Sequence, residues 1–438
     1  MPDRNTWSPW LLIILGGAFV LRLGAGILVQ QRVNQTPGKL CLIDGDADGY
    51  WKLARKLAQG EDYSVYDPPR RVLRMPGFPL LLAGGITILG ERVLGIRMLL
   101  AGVGTVACGF VYWLGRELFG HKVALRASLL AALLPTFILF SVLLLSETLF
   151  ATMLLASLIG MVKLIQSESG SGGLFAGSSG LDNPLMRETA APKAACRGGY
   201  LLSIVTGLLV GLATLVRPTW LLVGPGFAVL YVLAARKRGR ALLQAALMMA
   251  SLGGALLPWT VRNLHVTGHL VPTTLWVGPS LFDGLHPRAT GASDMRFVEE
   301  DGIYQRMSEY DADQYYRKAA LDFARENPGR ALWLAVVKLG RFWNPLPNAV
   351  QFGHWVIGLT VSLCTLPLLV LAFLGIWHSR RSFWRWVIPA APVLYFSLVH
   401  TVFVSSLRYR LPVEYPLLVL SAVGWSVLVS RVSNSTSS

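Results

Sequence analysis

The chain has 438 residues, of which 53% are hydrophobic and only 15% are charged. Soluble domains have roughly a quarter of their residues charged, so the composition excludes a string of soluble domains and favours one membrane domain. The net charge is +16, and 31 of the 40 basic residues are arginine, which binds carboxylate or phosphate through a two-pronged fork. The four cysteines are far apart and share no motif, which predicts neither a metal site nor a disulfide framework.

Apolar stretches of about 20 residues, the length at which a helix crosses a bilayer, recur along the whole sequence. They predict an all-α, polytopic membrane protein with about ten transmembrane helices. The first stretch lacks a small-residue cleavage site, so we expect an uncleaved span and not a signal peptide. The predicted spans are 9–30, 92–114, 123–140, 144–165, 200–216, 218–235, 241–258, 355–377, 386–404 and 413–430.

Basic residues in the short connections between spans predict the orientation. Ten of them fall on one side of the predicted topology, and the opposite short connections carry only Arg217, Arg408 and Arg410. Because cytoplasmic loops are enriched in Lys and Arg, we expect both termini in the cytoplasm. The protein itself is expected in the inner membrane of the cell. The ten residues are Arg116, Lys122, Arg126, Arg236, Lys237, Arg238, Arg240, Arg380, Arg381 and Arg385.

Three longer segments separate the predicted spans. Residues 31–91, the first long segment, and residues 259–354, the second long segment, are predicted on the extracytoplasmic side. Residues 166–199 are predicted to form a flexible cytoplasmic linker, because they are rich in Ser and Gly and have little apolar periodicity. The two extracytoplasmic segments contain stretches that are too short or too polar to cross a bilayer, and these predict interfacial helices. Those stretches are 46–59, 78–89, 309–326 and 329–343.

Three carboxylates, Asp44, Asp46 and Asp48, follow the first predicted span at alternate positions. Neighbouring negative charge and partial desolvation raise the pKa of a carboxylate, which favours a general base. Clustered oxygen ligands also suit a divalent cation. The structural alternative is that one aspartate caps the helix that begins near residue 47 while the others are solvated. The sequence names no cofactor, and a divalent cation is left as an alternative for these side chains.

Two more charged residues stand beside predicted membrane segments. Arg74 precedes the proline-fixed turn Pro76-Gly-Phe-Pro79, where it can bind a lipid phosphate or, more simply, headgroups. Glu147, in Leu-Ser-Glu-Thr, begins a predicted span. A charge at the bilayer centre costs roughly 2.5–3.5 kcal/mol, so such an acid usually faces a cavity or pairs with a cation. Both residues are therefore candidates for a binding site.

Four arginines lie at predicted helix ends on the side with few basic residues, so the orientation rule does not explain them. They suggest an anionic ligand; the alternative is pairing with Glu147, Glu414 or the aspartate cluster. The four are Arg217, Arg262, Arg408 and Arg410.

These elements, taken in order from about residue 40 to 425, resemble the GT-C superfamily of polytopic glycosyltransferases that use polyprenyl-phosphate sugars. The likeness is to the protein-mannosyltransferase and aminoarabinose-transferase type (glycosyltransferase family 39, with the RgtA/B/C/D-like domain). The motifs that carry it are Asp46-x-x-x-Tyr50, Arg74-x-Pro-Gly-Phe-Pro79, Leu-Gly-Arg116-x-Leu-Phe-Gly120, Leu-Ser-Glu147-Thr-Leu-Phe, Arg217-Pro-Thr, Pro258-Trp-Thr-x-Arg262-Asn, Glu326-Asn-Pro-Gly-Arg330 and Arg408-Tyr-Arg-Leu-Pro412.

The resemblance implies a GT-C fold and an acidic catalytic residue in the first long segment. Asp46 matches that position by its offset from Tyr50, and Asp44 and Asp48 are further candidates. Many relatives carry an Asp-Glu pair here, whereas this chain has Ala47 at the second position. Donor-phosphate or substrate binding is expected of Tyr50, Arg74, Glu147, Arg217, Arg262, Arg408 and Arg410.

The implied reaction is an inverting transfer of a hexose or pentose from a polyprenyl-phosphate donor to a lipid, glycan or protein acceptor of the cell envelope. Neither a nucleic acid nor a nucleotide-binding loop is expected. One alternative is a flippase or transporter for lipid-linked sugars, although transporters often show inverted repeats and none is visible in this sequence. A second alternative is an envelope polysaccharide ligase or polymerase, which would share the arginines without needing the Asp46–Tyr50 loop.

Overall fold

The structure is a computed structural model that describes residues 8–36, 39, 41–42, 45–168, 192–346 and 355–435. Within these residues the regular structure is helical, and an isolated β-bridge joins Val65 to Arg70. A 3-10 turn covers Pro218–Trp220. The α-helices are α1 (Pro9–Asn34), α2 (Asp46–Ala58), α3 (Gly77–Leu89), α4 (Val93–Phe119), α5 (His121–Leu133), α6 (Pro135–Phe140), α7 (Glu147–Glu168), α8 (Pro192–Val216), α9 (Val223–Ala234), α10 (Arg238–Thr267), α11 (Val277–Gly284), α12 (Phe297–Glu300), α13 (Ile303–Arg306), α14 (Glu309–Glu326), α15 (Pro328–Trp343), α16 (Trp355–Ser379), α17 (Phe383–Val402) and α18 (Leu407–Ser435).

Seven of these helices, namely α1, α4, α7, α8, α10, α16 and α18, are long and apolar enough to cross a membrane. The predicted fold class, an all-α polytopic membrane protein, is confirmed. The other three predicted spans differ from a single long apolar helix. The stretch 123–140 is divided into α5 and α6, the stretch 218–235 holds the 3-10 turn and the 12-residue α9, and the stretch 386–404 lies mostly in α17, which contains two prolines.

The centre of the bundle is α7, whose apolar window is 89% buried, and it contacts α4, α8 and α18. Close packing elsewhere depends on glycine, as is common between membrane helices. A Cβ at Gly207 would lie 2.1 Å from the Met248 carbonyl oxygen, so α8 meets α10 backbone to backbone. Gly424 of α18 approaches α16 in the same way, since a Cβ at that position would lie 2.0 Å from the Leu371 carbonyl oxygen.

A break in helical structure lies inside the bundle between α5 and α7. Pro135 has no N–H to donate, so the Ala131 carbonyl loses its ordinary helical partner. Arg22, fully buried in the middle of α1, donates to the Ala131 and Ala132 carbonyl oxygens at 2.9 and 3.4 Å. Arg97 of α4 donates to the Val142 carbonyl oxygen at 2.7 Å. The two guanidinium groups therefore satisfy backbone that a bilayer would leave without partners.

The two long segments contain the predicted interfacial helices, which are α2, α3, α14 and α15. Helix α14 begins after Ser308, whose hydroxyl accepts from the Asp311 N–H, and ends before Asn327-Pro328. Helix α15 exposes Leu332 and Trp333 on one face and buries Leu334 on the other, which is the arrangement of a helix lying along a membrane surface. Most of the predicted linker 166–199 lies outside the described residues.

Candidate active site

Five charged side chains from five parts of the chain form one ion-pair network. The Asp46 carboxylate bonds Arg74 Nη1 at 2.9 Å through one oxygen and Arg408 Nη1 at 2.8 Å through the other. Arg408 also pairs through Nε with Glu147 Oε1. The same Glu147 oxygen pairs with Arg217 Nη2 at 2.6 Å. We call these five residues the arginine–carboxylate cluster; it joins α2, α7, the start of α18 and two helix-flanking loops.

The first turn of α2 places Asp46 and builds the surface on which Arg74 lies. Residues three and four positions apart share a face of a helix, so Gly49 and Tyr50 lie on the same face as Asp46. A Cβ at Gly49 would lie 3.0 Å from Arg74 Nε, and the Arg74 guanidinium carbon is 4.5 Å from the centroid of the Tyr50 ring. The Arg74 guanidinium thus packs on the face of the Tyr50 ring, in space that a side chain at position 49 would fill.

Glu147 is the first residue of α7 and its side chain is fully buried. A lone buried charge is costly, and removal of a partner from a buried ion pair costs about 3–5 kcal/mol, so the two guanidinium groups account for its presence here. Its other oxygen, Oε2, has no hydrogen-bond partner within the described part of the chain. The preceding residue, Ser146, accepts from Arg217 Nε at 3.1 Å and from the Tyr50 hydroxyl at 3.4 Å. Ser146 therefore links Arg217 to Tyr50, the ring on which Arg74 lies.

An aromatic side chain closes one side of the cluster. The guanidinium carbons of Arg217 and Arg408 lie 5.9 and 6.0 Å from the centroid of the Tyr409 ring. Tyr409 in turn stacks on His400, with ring centroids 4.8 Å apart. Sequence reasoning missed Ser146 and Tyr409 as members of the site. Their only signal was position, since each is the direct neighbour of a candidate residue.

The electrostatics of the cluster keep Asp46 ionised. Burial alone would raise the pKa of Asp46, but the attraction of Arg74 and Arg408 outweighs it and holds the pKa well below its ordinary value. The side chain is still 37% exposed, so this carboxylate can be reached from outside. Three guanidinium groups and two carboxylates give the cluster a net charge of +1, which suits it to an additional anion.

Three other candidates lie apart from the cluster. Arg262 donates to the Arg71 carbonyl oxygen at 3.0 Å and to the Tyr63 carbonyl oxygen at 3.3 Å. Arg410, fully buried, donates to the Phe342 carbonyl oxygen at the end of α15 and pairs with Glu414. The Asp48 side chain makes no ion pair or hydrogen bond with a described residue.

The predicted acidic triplet is only partly visible, because Asp44 lies outside the described residues. In the part of the chain that the structure describes, no three histidine, cysteine or acidic side chains come together as a metal site. Both oxygens of Asp46 face guanidinium groups. The divalent cation stays a prediction, as do the catalytic and binding roles of the candidate residues.

Comparisons with known proteins bear on the family and the fold of the chain. Residues 69–181 match the family model described as dolichyl-phosphate-mannose-protein mannosyltransferase, a range that contains Arg74 and Glu147. A search of the curated proteins found no match.

Among solved structures, the chain is similar to the oligosaccharyltransferase AglB from Archaeoglobus fulgidus in complex with an inhibitory peptide and a dolichol-phosphate. The two are 15% identical with a TM-score of 0.59, over 98% of this chain and 51% of that one. The apo form of that enzyme gives 16% identity and the same TM-score of 0.59, over 99% and 52%. ArnT from Cupriavidus metallidurans, bound to undecaprenyl phosphate, gives 16% identity and a TM-score of 0.42, over 96% and 79%.

This chain thus spans about half the length of the archaeal oligosaccharyltransferase. The resemblance to the GT-C superfamily that the sequence indicates is confirmed, because the chain shares the fold of a GT-C enzyme along almost its whole length and matches a GT-C family model over residues 69–181.

Proposed function

We propose that the protein is a membrane glycosyltransferase that moves a sugar from a polyprenyl-phosphate donor to an acceptor of the cell envelope, with inversion at C1. The observation that carries the proposal is the sharing of the Asp46 carboxylate between Arg74 and Arg408, beside a second carboxylate that holds Arg408 and Arg217. A base and a set of anion-binding groups meet at the end of membrane-spanning helices. That combination suits a donor whose phosphate lies at the membrane surface and whose tail lies in the bilayer.

The arginines are the proposed phosphate site. Guanidinium groups bind phosphate through paired N–H donors, and the cluster brings three guanidinium groups together. The phosphodiester of the donor carries one negative charge, which would neutralise the excess positive charge of the cluster. As the bond between C1 and the phosphate oxygen breaks, negative charge grows on that oxygen. Preorganised donors at such a position lower the barrier more than donors in water, because they need no reorganisation.

Asp46 is the proposed base. The acceptor hydroxyl loses its proton to the Asp46 carboxylate while its oxygen forms the new bond to C1. The electron pair of the breaking C1–O bond leaves with the polyprenyl phosphate, so attack and departure lie on opposite faces of the sugar. In the free protein two arginines keep the pKa of Asp46 low. When they turn part of their hydrogen bonding to the donor phosphate, that pKa rises toward the range in which a carboxylate accepts a proton readily.

The proposed orientation puts the cluster on the periplasmic or extracytoplasmic side of the inner membrane, with both termini in the cytoplasm. It is supported by the ten basic residues in the short connections of the predicted cytoplasmic side, where Lys and Arg are enriched. The proposed acceptor is a lipid, a glycan or a protein. The matched family model names a protein acceptor, and the archaeal oligosaccharyltransferase was solved with a peptide and a dolichol-phosphate.

The test is transfer by purified Asp46→Asn protein in detergent or vesicles, with a radiolabelled polyprenyl-phosphate sugar. General-base catalysis contributes about 10²–10⁴-fold, so we expect a loss of that size with donor binding retained. Asp322→Asn, on the exposed side of α14, is the matched control and should keep full activity. Transfer by Asp46→Asn at a rate close to that of the unchanged protein would refute the base assignment.

A further inference from the structure

The backbone that carries Arg74 is held by the second long segment. The Glu309 carboxylate, at the first residue of α14, accepts from the Arg71 N–H at 2.7 Å and from the Val72 N–H at 3.0 Å. The Val72 carbonyl oxygen accepts from the Leu275 N–H at 3.0 Å. Both polar groups of Val72 are thus satisfied by residues about 200 positions away in the chain. One side chain, Glu309, supplies both oxygens for two successive amides.

Arg262 holds the same strip of backbone from its other side. It donates to the Arg71 carbonyl oxygen, and its guanidinium lies 4.8 Å from the ring of Trp259 and 5.1 Å from the ring of Tyr63. The Tyr63 hydroxyl then donates to the Arg74 carbonyl oxygen at 3.1 Å. The amides of residues 71 and 72 and the carbonyls of residues 71, 72 and 74 are therefore all held by hydrogen bonds.

Arg70, the residue before this strip, packs on aromatic rings of the second long segment. Its guanidinium carbon lies 3.9 Å from the ring of Tyr304 and 5.5 Å from the ring of Trp276, and the residue is 9% exposed. At the other end, a Cβ at Gly77 would lie 2.8 Å from the Leu215 carbonyl oxygen. Arg74 extends from the middle of a backbone that cannot shift without breaking these contacts.

From these contacts we propose that Glu309 is a positioning residue for the donor phosphate: by binding the amides of Arg71 and Val72 it fixes the backbone from which Arg74 reaches Asp46. The inference rests on the proposed function, because that function assigns Arg74 to the donor phosphate and so explains why its position matters. Glu309 touches neither Asp46 nor the other members of the cluster, so it acts through the backbone alone. The second long segment thereby has a role in donor binding.

The test is Glu309→Gln, which keeps the size of the side chain but replaces one acceptor oxygen by an NH₂ group that faces an amide N–H. Glu299→Gln, an exposed glutamate of α12, is the matched control. Hydrogen exchange of the peptide that contains residues 70–76 measures, without any substrate, how firmly Glu309 holds the Arg71 and Val72 amides. We expect that exchange to become roughly tenfold faster or more in Glu309→Gln, as the loss of a hydrogen bond to a charged group implies, and to be unchanged in Glu299→Gln.

Steady-state kinetics of sugar transfer then measure the effect of Glu309→Gln on donor binding. We expect KM for the polyprenyl-phosphate sugar to rise about tenfold, with KM for the acceptor and kcat changed less than twofold. In an Arg74→Ala background, Glu309→Gln should add nothing to donor KM, because the group that it positions is gone. Glu309→Asp, which retains both oxygens, should recover part of the donor affinity.

Unchanged exchange in Glu309→Gln would overturn the inference, and so would full additivity with Arg74→Ala or an equal rise in KM for donor and acceptor. Failure of the proposed function looks different. In that case the unchanged protein transfers no sugar, whereas the exchange experiment still reports whether Glu309 clamps residues 70–76.

Discussion

The half-buried arginines of the arginine–carboxylate cluster and the buried arginines inside the bundle have different kinds of partner. In the arginine–carboxylate cluster, Arg408 pairs with the side chains of Asp46 and Glu147. Inside the bundle, Arg22 and Arg97 donate instead to main-chain carbonyls around the break between α5 and α7. A carboxylate partner can exchange places with another anion, but a main-chain carbonyl cannot leave the fold. The first region is therefore the one in which we propose a ligand site, whereas the second supports the helices.

If the two regions differ in this way, the largest effect of a substitution is expected at Arg408, which pairs with both carboxylates of the cluster. Arg408→Ala should lower transfer about 10²–10³-fold, the loss found when one preorganised donor is removed from a site of developing negative charge. Transfer by purified protein and thermal unfolding in detergent are measured together. Arg325→Ala, which removes an exposed arginine paired with Asp322, is the control. If Arg408→Ala unfolds the protein but keeps the activity of the folded fraction, the two regions do not differ as proposed.

A smaller effect of a different kind is expected at Arg22. Arg22→Met leaves the carbonyls of Ala131 and Ala132 without donors in an apolar surrounding, at about 1–3 kcal/mol for each buried group. Thermal unfolding should occur at a lower temperature, while transfer per folded molecule changes less than twofold. Arg32→Met, at the exposed end of α1, should alter neither quantity. A loss of transfer without a loss of stability would assign Arg22 to the site.

The sequence predicts much of this fold because each level has a clear signal. Apolar length predicts the spans, and the limits of α2, α3, α14 and α15 lie within about two residues of the predicted interfacial helices. The division of the stretch 123–140 was not predicted. A window average cannot detect it, because Pro135 removes a single N–H without lowering the hydrophobicity of the stretch.

The candidate site was harder to predict, since the partners of an arginine are invisible in the sequence. Arg408 and Arg410 stand two residues apart in one motif, yet the first reaches Asp46 and the second caps the end of α15. Arg262 likewise binds main-chain carbonyls. The motifs do carry the five cluster residues that the structure brings together. Glu309 belongs to none of the motifs. It binds backbone amides, which leave no signal in the sequence.

The smallest expected effect is a pH dependence that separates Glu309 from Asp46. Burial raises the pKa of Glu309 above its ordinary value of 4.5, although Arg70 and Arg262 face it and oppose the rise, and the Tyr304 ring lies beside the same segment. Arg74 and Arg408 hold the pKa of Asp46 far lower. As the pH falls, Glu309 is therefore protonated first and loses part of its capacity to accept from the Arg71 and Val72 amides.

The donor kcat/KM should accordingly decrease on the acid side at a pH above 4.5, by several-fold, and this decrease should be missing in Glu309→Gln. The effect on stability has the opposite sign. A carboxyl group whose pKa is higher in the folded than in the unfolded protein binds more protons when folded, so protonation of Glu309 favours the folded state. Loss of donor affinity without a lower unfolding temperature, measured at the same pH values, is the expected pair of results. An identical acid decrease in Glu309→Gln would assign the titration to another group and leave the clamp without a part in the pH profile.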